Sequence, residues 1–128
     1  MSLEFIEEAK GLNEEFSCFT ISPDGSLMAT GNSNGSVNLI LMDNGSNLYT
    51  FDAQSGVNAV VFSPNHYSLA IATLENIQIL NLENKQVLVK IENKFEGQFP
   101  SCKSLFILNN FLYASYTDNK IRKFELKN

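Results

Sequence analysis

Tryptophan is absent from this 128-residue chain, histidine occurs once, cysteine twice and proline three times. A metal site needs several ligands at workable spacing, and His66 with two distant cysteines does not supply them. Cys18 and Cys102 read as buried small hydrophobes of a reducing compartment, not as a disulfide. No apolar run approaches the roughly 20 residues of a membrane span. Residues 1–10, MSLEFIEEAK, are acidic where a secretory or mitochondrial signal is basic, so the expected compartment is the cytoplasm.

Basic residues are scarce in the first two thirds. Residues 1–84 hold ten acidic groups and one basic group, Lys10, a net of −9. Residues 85–128 hold eight basic groups against Glu92, Glu96, Asp118 and Glu125, a net of +4. Such asymmetry fits different neighbours for the two ends, or an ordinary solvated surface, and both readings stand. Signs of catalysis are missing too. The run GNSNGS at residues 31–36 lacks the lysine and helix of a phosphate loop. Asn34-Gly35-Ser36 and Asn44-Gly45-Ser46 fit the glycosylation pattern, but both read as hairpin turns. No nucleophile stands with a base in a known motif. The expectation is a protein that is not an enzyme, with no cofactor, metal or small-molecule substrate.

What is present is short apolar runs, 44% of the residues, separated by turn chemistry. Residues 56–91 hold four: VNAVVF, YSLAIAT, NIQIL and QVLVKI. Pro64 presets one turn dihedral and Asn65 tolerates left-handed geometry; Leu74-Glu75 and residues 81–85 make the other breaks. Four strands joined this way form an antiparallel meander, and the flanking segments repeat it. Pro23 and Pro64 recur 41 residues apart, Leu48 and Leu88 40 apart. A four-stranded repeat of that period predicts an all-β fold built from β-propeller blades.

The expected strands are 17–22, 26–31, 36–41 and 47–51, the four runs above, then 103–108, 111–116 and 120–125. Asn109-Asn110 suits a two-residue hairpin. Residues 3–7 (LEFIE) could start a helix capped by Ser2 and stopped at Gly11, or form a further strand; the repeat argues for strand. That makes twelve strands in three repeats, near 3–41, 47–81 and 86–126, within one partial propeller unit, 1–128. Residues 93–101 (NKFEGQFPS) form the one long connection.

The runs SPDGSLMATG, NLYTF, VNAVVFSPNHYSLAIAT, IQILNLENK and SYTDNKIRKFEL, in that order, resemble the last three repeats of the receptor for activated C kinase family. This resemblance covers residues 16–126 and implies a WD40-type propeller fold, of which the family's full form has seven blades and this chain about three. It implies a non-catalytic scaffold on the small (40S) ribosomal subunit, a docking platform for translation and signalling proteins. The implied partners are ribosomal proteins and 18S-type rRNA, without membrane contact. A WD-repeat adaptor in signalling or trafficking, without a ribosomal role, is the alternative. The Trp-Asp that ends the third strand in such repeats is replaced by Ile40-Leu41, Leu80-Asn81 and Phe124-Glu125. The expected loss is a polar network worth on the order of a few kcal/mol per blade.

Candidate contacts remain. Lys120, Arg122, Lys123 and Lys127 form a basic strand and tail; Lys120 and Arg122 share a face by period two and can both point outward. Tyr49 and Tyr67 match tyrosines of the resembled repeats, the first as a half-buried strand aromatic and the second as a blade-rim contact. Phe95, Phe99 and Pro100 could fold back on the long connection or dock a partner.

Overall fold

The computed structural model describes residues 1–9, 15–65 and 67–127; Lys10, Gly11 and His66 lie outside the described residues. The described residues contain eleven strands and no helix. The first sheet joins β1 (Cys18–Ile21), β2 (Leu27–Gly31), β3 (Ser36–Leu41) and β4 (Asn47–Asp52). The second joins β5 (Val57–Phe62), β6 (Ser68–Thr73), β7 (Asn76–Asn81) and β8 (Val87–Glu92). The third joins β9 (Cys102–Leu108), β10 (Phe111–Tyr116) and β11 (Ile121–Glu125). Every pairing is antiparallel between strands adjacent in sequence, as in an incomplete WD40 propeller.

Turn chemistry places the strands. Gly25, Gly35 and Gly45 take positive φ in the first blade's three hairpins, which a side chain would disfavour. Asn109 alone of Asn109-Asn110 takes left-handed φ, and Leu108 pairs directly with Phe111 across that two-residue turn. A register shift recurs at Leu39/Ile40 and Ile79/Leu80, the same place in two blades.

Two apolar layers glue the blades face to face. Ala29, Val37 and Leu39 of the first blade meet Val60, Phe62, Leu69, Ile71 and Leu80 of the second. The second blade's other face, Ala59, Ala70, Ala72, Ile77 and Ile79, meets Cys102, Ile107, Leu112, Ala114 and Tyr116. Burial on both faces is why β6 and β7 read as nearly continuous apolar runs. Close approach shows at Gly31, where an added Cβ would lie 2.4 Å from Val57 Cγ1. Both cysteines are free, Cys18 beside the first layer and Cys102 within the second.

Two expectations need correction. Residues 3–7 form no strand: Leu3, Phe5 and Ile6 are at least 80% exposed. A strand there would need an inner strand of a preceding blade as partner, and no described residues provide one. The third blade has the three strands expected over residues 103–125, with β11 at its edge. The polar network inside the second blade is also not simply lost. Thr73 Oγ1 accepts from the Asn76 and Glu75 amides, and Gln78 Nε2 donates to Asn76 Oδ1 and, at 2.8 Å, to the Ala53 carbonyl. A different polar set stands at the β6–β7 turn, tied through Ala53 to the chain entering the blade.

Candidate interaction site

Turns in a meander alternate between the two ends of a blade. One end carries Pro23, Pro64 and Asn109; the other carries Asn34, Leu74-Glu75, the 93–101 connection and the Asp118 turn. Tyr67, 57% exposed, therefore lies at one end and Phe99 at the other, so the fold does not unite them. Tyr49 is half-buried against the first apolar layer, with Lys85 Nζ 5.3 Å from its ring centre.

The long connection is folded tightly. Phe95 and Gln98 exchange two backbone hydrogen bonds of 2.9 Å around Glu96 and Gly97, both at positive φ, the geometry of a two-residue reverse turn. The turn separates its aromatics. Phe95 folds back, edge-on to Tyr116 at 5.2 Å, while Pro100 is buried and Phe99 stays 73% exposed. Of the two readings for this connection, Phe95 and Pro100 take the first and Phe99 is left available for the second.

Arg122 completes the cluster. Its guanidinium lies 3.9 Å from the Phe95 ring centre and 4.7 Å from that of Tyr116. Both Asp118 oxygens accept from it, at 3.2 and 2.8 Å. Arg122 thus turns inward with Phe124, as alternation along β11 places it, and shares no outward face with Lys120, which lies in the turn before the strand; stacking and the bidentate pair hold it there. The donors from Arg122 hold the Asp118 carboxyl below the usual carboxylate range. Burial pushes the Tyr116 hydroxyl up to about 12, and Cys102 beside it up to about 11.

A pH prediction follows. A carboxyl depressed in the folded state stabilises above its unfolded pKa, about 3.9, and that contribution is lost as pH falls through the folded value. Amide protection at Phe95 and Arg122 should drop on acidification below about pH 4. In Asp118→Asn it should be lower already at neutral pH and flat over that window, which hydrogen exchange reads directly. Equal acid sensitivity in both proteins would assign the change to another group.

The other cations remain outside. Lys120 is exposed in the turn before β11, and Lys123 is exposed on the third blade's open face, 4.1 Å from the Phe111 ring centre. Lys127 follows β11, 3.6 Å from Glu125 and open to solvent. They lie before, on and after β11 and do not converge on a pocket. No group of three or more metal-ligating side chains occurs among the described residues.

Comparison with known proteins agrees with this geometry. The WD domain, G-beta repeat family matches residues 10–40. The small ribosomal subunit protein RACK1 of Schizosaccharomyces pombe is 37% identical over 117 residues, 86% of this chain and 37% of the relative. The Candida albicans protein of the same name is 37% identical over 116 residues, with the same coverage. Cross-pathway control WD-repeat protein 2 of Flammulina velutipes is 37% identical over 110 residues, 80% of this chain and 35% of the relative. The chain spans little more than a third of the length of these curated relatives. Repeating antiparallel blades, the matched repeat and similarity along most of the sequence carry one conclusion: the chain is built as an incomplete WD40 propeller and is similar over most of its length to RACK1.

Proposed function

We propose that this chain, one partial propeller unit of residues 1–128, serves a non-catalytic scaffold associated with the small ribosomal subunit in the cytoplasm. Similarity to two proteins named as small ribosomal subunit components, over 86% of the chain, carries the reading. Lys120, Lys123 and Lys127 are the side chains proposed to meet rRNA phosphate; Tyr67 and Phe99, at opposite blade ends, are the proposed protein contacts. Arg122 and Phe95 support that surface from within. Contacts of cations with phosphate are independent of sequence and weaken with salt. The equal identity to a relative named for cross-pathway control supports a second reading, a regulatory adaptor away from the ribosome.

Sedimentation of cell extract through a sucrose gradient separates the two. The protein should travel with small subunits at low salt; retention wholly in the light fractions sinks the ribosomal reading. Replacing Lys120, Lys123 and Lys127 with Gln should lower the slope of log affinity on log salt by up to about 2–3 units, since single-stranded or duplex phosphate contributes roughly 0.7–0.9 per contact. An unchanged slope would make these cations ordinary solvated surface.

A further inference from the structure

The blade end that carries the 93–101 connection has a cleft of about 340 Å³, lined by Leu74, Glu75, Glu92, Asn93, Lys94 and Phe99. Its composition is unusual for a surface depression. Phe99 and Leu74 are 73% and 56% exposed, although Phe95 and Pro100 of the same connection found cover. Glu75 and Glu92 are both exposed, so with Lys94 the lining carries a net charge of −1. Asn93 is only 4% exposed, and its Nδ2 donates to the Thr73 and Leu74 carbonyls at 3.1 and 3.3 Å. Its Oδ1 has no donor. A buried acceptor in that state costs free energy until an N–H reaches it.

We propose that this cleft docks an arginine side chain from a protein partner. The ligand must bring an apolar stem for Leu74, a positive charge for two carboxylates and an N–H for Asn93, and a flat face suits Phe99. An arginine side chain meets all four demands, its methylenes forming the stem and its guanidinium a flat, charged fork of donors. Lys94 Nζ, 5.8 Å from the Phe99 ring centre, already shows a cation over that ring at the outer limit of attraction. Because Asn93 Oδ1 lies beneath the surface, the incoming group must open the cleft as well as displace Lys94 from the ring to reach it. Lysine is the weaker ligand, since a compact, strongly hydrated ammonium does not stack. The site is opposite in charge to the cations proposed for phosphate and does not depend on them.

Saturation-transfer NMR on the whole chain with millimolar peptide tests this, because it reads weak binding whether or not the protein self-associates. The probe is the acetylated, amidated tripeptide glycine-arginine-glycine, with its lysine counterpart as control. Transfer should be strongest on the arginine side-chain methylenes and clearly weaker for lysine. Paired Glu75→Gln and Glu92→Gln, or Phe99→Ala alone, should each weaken binding about fivefold, as for loss of a good exposed contact. All three positions are exposed, so circular dichroism should show the fold retained. Gln at Lys120, Lys123 and Lys127 should leave the arginine signal unchanged. Equal transfer from both peptides, or transfer that survives the glutamate and phenylalanine changes, overturns the proposal.

Discussion

Purified alone, residues 1–128 are expected to self-associate and to bind a hydrophobic dye. The two blade-to-blade layers cover both faces of the second blade but only one face each of the first and third. On the third blade's open face stand Phe106, Leu108 and Ile121, at 59%, 50% and 75% exposure, around Tyr113. On the first blade's open face Phe19 and Ile21 are 57% and 45% exposed. Three strands spaced about 4.8 Å and roughly 17 Å long make a face on the order of 250 Å². At about 25 cal/mol per Å², leaving it wet forgoes roughly 6 kcal/mol. A small domain has only about 5–15 kcal/mol of net stability. Cover can come from further blades, another copy or the surface the protein binds. Light scattering should give a mass above that of one chain, rising with concentration, and the melt should be broad. A monomer with a sharp melt and no dye binding would show that the arc stands without cover.

Leu80→Ala should be among the most damaging single changes, at about 2–5 kcal/mol. Leu80 stands where WD repeats place Trp, is fully buried, and belongs to the layer between the first and second blades. Removing it opens a cavity walled by two rigid sheets that collapse poorly. Restoring the family residue with Leu80→Trp should also destabilise, by about 1–3 kcal/mol, because Leu69, Ile71 and Phe62 already fill the space. The polar set of Thr73, Asn76 and Gln78 further along the same strands is satisfied without an indole N–H. Chemical denaturation of the chain, with its cover if it needs one, measures both. A gain in stability with Trp would show that the site can hold an indole and its polar partners.

The sequence by itself determined the all-β class, the blade repeat and most strand limits. Those depend on local properties: period-two alternation, Pro64 and Asn65 in one turn, Gly35 and Asn109 at left-handed positions. Asn76 and Gln78 were visible as an alternation within the aliphatic run NIQIL, which by pattern alone reads as a solvent face, although both are buried. Their partners were not, because Ala53 lies 25 residues away and meets Gln78 only after the blades stack. Residues 3–7 alternate like an outer strand, yet a strand exists only where another offers backbone partners. Alternation tied Arg122 to Lys120 but could not say which face lies inward or that Lys120 precedes the strand; Arg122 falls on the inward face with Phe124, where Asp118, Phe95 and Tyr116 receive it. Phe95 and Phe99 are the same residue type four positions apart, and their separate fates were set by tertiary contact. The Glu96-Gly97 turn aims Phe95 at Tyr116 on a neighbouring strand and leaves Phe99 beside Leu74 and Asn93. Pattern along a chain specifies which way each residue can point; what it touches depends on strands that only folding brings alongside.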